Sequence, residues 1–554
     1  MYDASPRQPY YLEPEFIPFA TAAIVDLVAT GKARIVPGNS ALLSAPLFVV
    51  DSLRFAPVSA ELAAFEAQSV EQKRAAFKEL ARSVMADAWA RCTTKDARDR
   101  ALPASVVAAA LSMIVTDHKL RLVMDSKASG LNGALASWHF TYCSMSEILH
   151  HARPGWWMAS IDIKAAFHLV RLHPDEARYA GFKFPLDPTQ QRRHGEGIDM
   201  VEMEMLRLWF GLKTAPAQFS TISGEIAATL QRRARRYSRE GDLYFFVFMD
   251  DLFILSLNKA LGDKAYEDAF AYLQEIGAEA NEKAVRPAQR LQVLGLMVDF
   301  TNPRGVELSL PADKSYSCNT LVALLIEAAD NDLRMPFFLV EKVIGKLGHA
   351  SEVILGGQRH LITLRDALRG SADSARDGVD LAGCLQDLVW WQQQLCEKAS
   401  TRLRLTRTLA STVEMVNVKS DASGDVGAAI IVGNAVAWWY RWNQETALPS
   451  RSIQAKEIFP LVLLLEEYGH LFRGLTVAYA TDNAANAYAL NSGSIRDKEA
   501  RPLLFKALEA ADKHGFRIRA AWNPRENNDL MDRMSKAPSR EEAFRALPPG
   551  FVNE

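Results

Sequence analysis

Apolar and polar positions repeat along the chain with helical and strand-like periods. In residues 59–92 the apolar positions recur at helical spacing among Ala, Glu and Lys, which predicts a helix with Ser59 as its N-cap. Residues 111–125 predict two strands around a polar turn, and residues 156–172 predict a strand, a turn or short helix, and another strand. A longer helix is expected over residues 217–236.

The second half of the chain mixes the same periods. A helix is predicted from about residue 264 to 276, and a single strand over residues 292–300. Residues 312–398 are mostly of helical period, and residues 399–412 have the composition of a linker. Residues 413–442 alternate as strands, and a helix, a strand and a helix follow. This pattern predicts the α/β class, with a separate C-terminal α/β domain after the linker.

The composition is that of a globular protein without an overall charge bias. Of the 554 residues, 49% are hydrophobic and 23% are charged, and the formal net charge is −2, so any basic groove for nucleic acid must be local. The five cysteines form no CxxC pair, which argues against zinc, redox and disulfide motifs. With no ~18-residue apolar stretch and no secretory signal, we expect a soluble, intracellular protein without a membrane partner. The sequence leaves open whether the protein lies in a cytoplasmic particle or in the nucleus. It also leaves open whether the chain is complete or a fragment of a polyprotein.

Three aspartates stand where apolar strands end. Asp250 and Asp251 interrupt "FFVFMDDLFIL", which has the pattern of a buried hairpin, and Asp162 ends the strand of "WWMASIDIKAAF". Two like charges about 5 Å apart repel by about 3 kcal/mol even at an effective dielectric of about 20. Three converging carboxylates bind two Mg²⁺ ions, which prefer oxygen ligands and catalyse in-line phosphoryl transfer. Each acid by itself is more typical of a turn or a solvated edge.

Five motifs around these aspartates resemble those of the reverse transcriptases of retroelements, of the LTR and DIRS types. In chain order they are "SIDIKAAFHLVRL", "WFGLKTAPAQFS", "FVFMDDLFIL", "GAEANEKAVRP" and "LQVLGLMVD". Five motifs in one order are far more specific than any single motif. The resemblance implies a right-hand polymerase, with fingers and an α+β palm in residues 106–305 and a helical thumb or connection in residues 306–400. Residues 1–105 would be an unassigned, partly helical N-terminal extension.

The resemblance also implies roles for individual residues. Asp162, Asp250, Asp251 and the backbone carbonyl of Ile163 would hold two Mg²⁺ ions, with Mn²⁺ as an alternative. The incoming nucleotide and the templating pair would meet Arg121, Lys127, Ala165, Ala166, Phe167, Phe210, Gly211, Gln218 and Lys283. Phe167 matches an aromatic gate that excludes a ribose 2′-hydroxyl, so we expect dNTPs as substrates. Arg121 would clamp the triphosphate and Lys283 would assist pyrophosphate departure. Outside the motifs, each of these is an ordinary packing or surface residue.

A second set of acids lies in residues 413–540, which resemble a ribonuclease H. Two strand ends and two helices carry these acids, which are Asp421, Glu457, Asp482 and Asp532. The resemblance implies that all four are catalytic metal ligands, again for two Mg²⁺ ions, in the cleavage of RNA within an RNA–DNA hybrid. The ending "DRMSK" favours Asp532 over Asp529. The histidine that many ribonucleases H carry before the last acid has no counterpart in "WNPRENND". Singly, each acid would suit a strand end or a helix cap.

The chain departs from the reverse transcriptase pattern at Phe248, where the family commonly has tyrosine. An RNA template, a DNA primer, their hybrid and dNTPs are the expected partners, while the oligomeric state stays open. Two alternatives to a retrotransposon RNA-directed DNA polymerase remain. One is an inactive, domesticated copy that only binds nucleic acid, against which the presence of all seven acids argues. The other is an RNA-dependent RNA polymerase, against which Phe167 and the second acidic domain argue.

Overall fold

A computed structural model of the chain resolves two compact units. The structure describes residues 10–12, 14–37, 41–54, 59–93, 100–112, 114–115, 117–138, 140–191, 198–303, 305–354, 356–371, 378–397, 401–404, 415–433, 436–442, 451–493, 495–524, 526, 528–548 and 551–553. Unit 1 comprises Met1–Ala64, Ile114–Lys314 and Leu403–Thr406. Unit 2 comprises Phe65–Met113, Ser315–Arg402 and Arg407–Glu554.

Unit 1 is built from short helices and four antiparallel or mixed sheets. Its strands are Tyr10–Tyr11, Ala33–Ile35, Leu47–Arg54, Asp117–Met124, Trp157–Asp162, Gly181–Phe184, Val201–Met205, Leu243–Phe248, Asp251–Ser256, Val285–Ala288, Arg290–Val293, Leu296–Asp299 and Val306–Ser309. Its helices are Pro14–Phe16, Ile17–Ala29, Leu131–Ala134, Met145–His151, Ala166–Leu169, Pro174–Ala177, Ala215–Ala234 and Lys259–Glu275.

The central sheet of unit 1 carries the acidic hairpin, which consists of Leu243–Phe248 and Asp251–Ser256. Its four antiparallel strands run in the order Val285–Ala288, Trp157–Asp162, Asp251–Ser256 and Leu243–Phe248. The helix Ala215–Ala234 packs against this sheet with a face of alanines and large apolar residues. Proline in its first turn suits the helix start, because the missing N–H has no intrahelical partner there. The burial of this face holds the strand ends, and hence the hairpin tip, in place.

Two further sheets of unit 1 flank a common core. Leu47–Arg54 pairs antiparallel with Asp117–Met124 over its whole length, and Val201–Met205 lies between Gly181–Phe184 and Ala33–Ile35. Large apolar side chains from both, such as Leu47 and Phe182, are fully buried. These sheets bring the segment from residue 121 to 132 beside residues 209–213, since Met124 N–H donates to the Phe210 carbonyl at 3.1 Å.

Unit 2 joins a helical part and an α/β part. Its helices are Val70–Ala90, Ala104–Ser112, Phe337–Ala350, Arg359–Leu361, Ile362–Gly370, Ala382–Cys384, Leu385–Cys396, Ile453–Tyr468, Gly469–Phe472, Ala484–Ser492, Arg501–His514, Asp529–Ser535 and Arg540–Arg545. The helices Ser59–Glu66 and Ala312–Asp330 and the strand Thr401–Arg404 span the unit boundaries. None of the helices in the described part of the chain combines the length and apolarity needed to cross a bilayer.

The α/β part of unit 2 is built on one mixed sheet. Its strand order is Arg517–Trp522, Thr476–Thr481, Met415–Ala422, Gly427–Val432, Val436–Arg441 and Val552–Asn553. The first three strands are parallel to one another, and the next two follow as antiparallel neighbours. Because Asp421 lies near the end of one parallel strand and Asp482 directly follows the neighbouring one, both residues lie at the same edge of the sheet.

Several sequence predictions of local structure are confirmed. The helix expected over residues 217–236 is Ala215–Ala234, and the hairpin around Asp250 is present. The helical region after residue 312 and the strands after residue 413 are also observed. The helix expected at 264–276 begins earlier, at Lys259, because Asn258 accepts a hydrogen bond from the Leu261 N–H at 2.9 Å and so caps it.

Other predictions of local structure were wrong. Residues 111–125 hold the end of the Ala-rich helix Ala104–Ser112 and one strand, because Asp117–Met124 pairs along its whole length with Leu47–Arg54. The single strand over 292–300 is a hairpin, since Leu294 and Gly295 take φ of +47° and +80° in its two-residue turn.

Two further element boundaries differ from the predictions. The helix over 59–92 is split, because Ser69 and Gln72 form a capping box that begins the helix Val70–Ala90. In 156–172 the second strand is reduced to an isolated bridge between Arg171 and Arg207. Most of the linker expected at 399–412 lies outside the described residues, and the described part forms the strand Thr401–Arg404. The predicted division into residues 1–105, 106–305, 306–400 and 413–540 stays a prediction. Each of the two compact units takes in parts of several of these segments.

Candidate active sites

The acidic hairpin places two of the three predicted polymerase carboxylates side by side. Asp251 is the direct cross-strand partner of Asp162 on one side and of Phe248 on the other. Residues directly opposite each other in a sheet project their side chains to the same face. Asp250 lies in the two-residue turn, where its carbonyl accepts a hydrogen bond from the Ile163 N–H at 2.8 Å. The turn depends on Met249, whose φ of +54° costs a non-glycine residue of order 1–3 kcal/mol.

The electrostatics of this cluster oppose full ionisation. Burial raises the pKa of Asp251 to about 6, and the charges of Asp250 and Asp162 act in the same direction. Burial also raises the pKa of Asp162, and the charge of Asp250 adds to that effect. The cations Lys119 and Lys283 lower the pKa of Asp162 in part. The site therefore holds more negative charge than its surroundings compensate, which is a property of cation-binding sites.

Two residues beside the cluster are not among those predicted from the sequence. Asn281 donates from Nδ2 to Asp162 Oδ2 at 3.1 Å, and its backbone N–H donates to the Asp162 carbonyl at 2.7 Å. Lys119 lies on the neighbouring strand Asp117–Met124 and acts on both Asp162 and Asp251. Asn281 stands within the motif "GAEANEKAVRP", two residues before Lys283, so that motif carried a usable signal. Lys119 had none, because its strand belongs to a different sheet and only the packing of unit 1 brings it near the acids.

The segment after Asp162 has the geometry of a tight turn. Ala165 is exposed with φ of +51°, and it precedes the short helix Ala166–Leu169. Phe167 is 9% exposed, and its ring lies 5.1 Å from that of Phe210 and 6.0 Å from that of Phe219. The Phe167 ring is packed and also reaches Phe210, which is 41% exposed, while its role as a gate stays a prediction.

Arg121 and Phe210 line one cavity of about 250 Å³, together with His168 and apolar residues of the helix Ile17–Ala29. Next to Phe210, the backbone of Gly211 packs directly against Met124. A Cβ at position 211 would lie only 2.0 Å from the Met124 carbonyl oxygen. The φ of +106° at Gly211 also favours glycine. Gln218 donates to Thr214 within its own helix at 3.2 Å. Lys127 is exposed, and its backbone N–H donates to Asp125 Oδ1, so Asp125 acts as a turn-forming residue.

Asn132 is a further residue that the sequence did not single out. Its Nδ2 donates to the Gly211 carbonyl at 2.9 Å, and its Oδ1 accepts from the Lys213 N–H at 2.8 Å. Trp209 Nε1 donates to Ser126 Oγ at 3.0 Å beside it. These contacts fasten the segment that follows Arg121 to the segment that holds Phe210. The pair "LN" at residues 131–132 was a weak signal for this contact.

In unit 2 the predicted ribonuclease H acids converge from two strand ends and two helices. Asp421 is buried and accepts a hydrogen bond from Ser535 Oγ at 2.5 Å. Lys536 Nζ donates to both carboxylate oxygens of Asp532 at 2.7 Å. Glu457 is buried, and Asn486 Nδ2 donates to it at 3.5 Å. Ser535 and Lys536 were quoted from the sequence only as part of the "DRMSK" ending.

The charges of these acids act on one another. Burial raises the pKa of Asp421, the Ser535 hydrogen bond lowers it, and the charges of Asp482 and Asp532 raise it again. By contrast, Asp529 is exposed and forms an ion pair with Arg533 at 3.2 Å. The helix Asp529–Ser535 therefore directs Asp532 toward the other acids, while Asp529 lies apart from them.

Metal ions fit the donor sets of both clusters, although the side chains are not closed around a common point. Within the residues that the structure describes, no three His, Cys, Asp or Glu side chains already form a metal-ligating group. Asp482 Oδ1 is buried and accepts no hydrogen bond from any described residue. An unpartnered carboxylate oxygen in this position needs a cation or water to offset its desolvation. In unit 1, the raised pKa values of Asp162 and Asp251 indicate the same need.

Comparison with known proteins identifies one part of the chain. Residues 107–298 match the protein family described as "Reverse transcriptase (RNA-dependent DNA polymerase)". Two solved structures of the foamy viral protease-reverse transcriptase with double-stranded DNA are similar to the chain, each at 13% identity. The dRH form has a TM-score of 0.47 and covers 93% of this chain and 71% of its own. The other has a TM-score of 0.46 and covers 94% and 85%. No curated protein matches the sequence.

Proposed function

Because residues 107–298 belong to the reverse transcriptase family, a family of RNA-dependent DNA polymerases, we propose that this chain is the RNA-directed DNA polymerase of a retrotransposon. We further propose that its C-terminal α/β part is a ribonuclease H, which cleaves the RNA strand of the RNA–DNA hybrid. The observation that carries the polymerase assignment is the register of the central sheet. It sets Asp162 opposite Asp251, with Asp250 in the adjoining turn.

In the proposed polymerase reaction, this chain binds and orients the reacting groups. Phe167 limits the space beside the ribose, so a dNTP is accepted in preference to an rNTP. Arg121 holds the triphosphate, and the exposed backbone at Ala165 allows its close approach. The primer 3′-hydroxyl then attacks the α-phosphate, and pyrophosphate leaves near Lys283. Most of the rate enhancement would come from this positioning and from charge compensation.

Two Mg²⁺ ions would be held by Asp162, Asp250, Asp251 and the Ile163 carbonyl, and they would supply charge compensation at the phosphate oxygens when bound. Asn281 fixes the orientation of the Asp162 carboxylate by its hydrogen bond. The raised pKa of Asp251 means that this carboxyl must lose a proton near pH 6 before it can act as a ligand.

The ribonuclease H proposal rests on the arrangement of acids in unit 2. Asp421, Asp482 and Asp532 act on one another electrostatically, and the buried Asp482 Oδ1 is available to a ligand. With Glu457 they would hold two Mg²⁺ ions and orient a water toward the RNA phosphodiester. The Ser535 hydrogen bond and the Lys536 charge partly offset the raised pKa of Asp421, and Lys536 also binds the Asp532 carboxylate.

One experiment tests the polymerase proposal against its alternatives. A DNA primer annealed to an RNA template is incubated with the full chain, Mg²⁺ and either dNTPs or rNTPs, and extension is measured by gel electrophoresis. We expect extension with dNTPs and at least a 10³-fold loss in Asp250→Asn, an order of magnitude typical of removing a group that binds in the transition state. Extension only with rNTPs would identify an RNA polymerase. Binding without extension would identify an inactive copy.

A parallel assay tests the second activity. An RNA–DNA hybrid labelled on the RNA strand should be cleaved by the wild type and by Asp250→Asn, but not by Asp482→Asn. Since the two acids lie in different units, each variant serves as the folding control of the other. If the wild type leaves the hybrid intact while it extends primers, the ribonuclease H proposal fails and the polymerase proposal stands.

A further inference from the structure

The residue at the hairpin tip that departs from the family pattern lies next to the polymerase acids. Phe248 is the direct cross-strand partner of Asp251, which in turn is the partner of Asp162. Neighbouring strands are separated by about 5 Å, so the Phe248 ring stands on the same face as both carboxylates and within two strand spacings of them. A primer end bound at the acids would therefore lie beside this ring.

A second aromatic residue extends this surface from another segment. The Tyr142 ring lies 4.8 Å from the Phe248 ring at an interplanar angle of 36°, and Phe140 meets Tyr142 edge-on at 4.8 Å. Phe140 and Tyr142 are 39% and 40% exposed. We call Phe140, Tyr142 and Phe248 the aromatic ledge. Exposed rings of this kind are platforms on which nucleic-acid bases stack, whatever the base.

The Tyr142 hydroxyl is available to a ligand. No residue that the structure describes forms a hydrogen bond with it, and a phenol is a neutral hydrogen-bond donor near neutral pH. Tyr142 also lines a cavity of about 460 Å³ with Met249, Gly224 and Ser220. One side of its ring therefore faces open space beside the hairpin tip, not packed side chains.

We propose that Tyr142 supplies the hydroxyl that Phe248 lacks, and that the aromatic ledge seats the terminal base pairs of the primer–template duplex. Every base pair presents hydrogen-bond acceptors in its minor groove, so a single phenol donor binds any sequence there. Tyr142 is thus a primer-binding residue reached through tertiary structure. This inference rests on the proposed polymerase function.

The test compares variants in which the phenol hydroxyl is on Tyr142, on residue 248, on both or on neither. Binding of a fluorescent primer–template is measured by anisotropy for the wild type, Tyr142→Phe, Phe248→Tyr and the double variant. We expect Tyr142→Phe to weaken binding by about three- to tenfold, the contribution of one hydrogen bond, and the double variant to regain wild-type affinity. The matched control is Tyr179→Phe, because Tyr179 is also 40% exposed in unit 1 but is not part of the ledge. It should bind as the wild type does.

A modified primer supplies the second arm. Purines that lack the N3 acceptor (3-deaza-2′-deoxyadenosine) replace the terminal two primer nucleotides. Wild type should then bind no more tightly than Tyr142→Phe, and Tyr142→Phe should lose nothing further. The inference is overturned if Tyr142→Phe binds like the wild type, if the double variant stays weak, or if the deaza primer leaves the Tyr142→Phe effect unchanged. Primer extension by the wild type reports on the polymerase proposal separately.

Discussion

At Gly211 a single missing carbon atom decides whether two segments of the polymerase site can meet. The backbone takes φ of +106°, and a Cβ would lie 2.0 Å from the Met124 carbonyl oxygen. The sequence marked Gly211 as a point of close backbone approach, and the partner turns out to be the strand that carries Arg121. Glycine is required at position 211 because the adjacent Phe210 contacts Met124, which lies about ninety positions earlier in the chain.

Gly211→Ala should destabilise unit 1 by about 2–4 kcal/mol, because the methyl group meets backbone and not a flexible side chain. The shift is measured as the urea midpoint of unfolding. Gly224→Ala is the matched control, since nothing lies within 4 Å of a Cβ there and the site is helical. The control should be neutral or stabilising by up to about 1 kcal/mol. Equal effects at both positions would contradict the steric explanation.

His168 gives unit 1 a pH dependence. Burial lowers its pKa from 6.5 to about 4, with Lys32 adding to the effect. Because the unfolded chain takes up the proton first, stability is full above pH 6.5 and falls as the pH drops from there toward 4. At pH 5 the loss should be of order 1–2 kcal/mol. The difference between urea midpoints at pH 7.5 and pH 5 should shrink in His168→Gln; an unchanged difference would exclude His168 as the cause.

At the scale of elements, the helix Asp529–Ser535 organises the second site. Its one turn from Asp532 to Ser535 supplies an acid and the hydroxyl that holds Asp421, while Lys536 follows directly. The sequence pattern identified the helix and its acid. The direction in which the helix faces followed from its packing, since Met531 and Met534 are buried against the sheet.

Ser535→Ala should shift the acid limb of hybrid cleavage to higher pH. The hydroxyl donates to the Asp421 carboxylate and so favours its ionised form, and without it the pKa of Asp421 rises further. A shift of about half a pH unit to one unit is expected from one hydrogen bond. The measurement is the rate of hybrid cleavage between pH 5 and 9. Lys536→Met should shift the limb in the same direction, because its charge also lowers that pKa. A lower maximal rate with an unmoved limb would show that Ser535 does not act through Asp421.

At the scale of the whole molecule, unit 2 joins helices from distant parts of the chain to the α/β part. Arg501 Nη1 donates to Asp366 Oδ2 at 2.7 Å, and Arg359 Nη2 donates to Asp512 Oδ2 at 3.0 Å. The arginine side chains are only 18% and 12% exposed. Half-buried pairs of this kind orient the helix Ile362–Gly370 against the α/β part.

Arg501→Ala should destabilise unit 2 by about 1–2 kcal/mol, because it removes a charge-assisted hydrogen bond to Asp366, which is 33% exposed and keeps its ion pair with Arg369. The control is Arg91→Ala, which removes the more exposed Arg91–Asp87 pair at the end of one helix of the same unit and should cost clearly less. The measurement is the urea concentration at which half of the hybrid-cleavage activity, which we assign to unit 2, is lost. Equal midpoints for the two variants would show that the Arg501 pair does not couple the parts of unit 2.

The sequence by itself predicted the class of the fold, the helix over residues 217–236 and the acidic hairpin, and it supplied the seven carboxylates of the two proposed sites. These follow from periodicity and from local motifs, which act over a few residues. It failed at residues 111–125 and 292–300, where a long-range strand pairing and a positive-φ turn override local preference.

Only the tertiary structure decided which residues meet. Lys119, Asn132 and Asn281 reach the polymerase site through packing and side-chain contacts between segments far apart in the chain. The contact between Phe248 and Tyr142 could not be predicted from the sequence either. The two residues are about one hundred positions apart, and only the folded chain brings their rings together. The residue types therefore indicated which chemical groups are available. The partners of each group depended on how the sheets pair and pack.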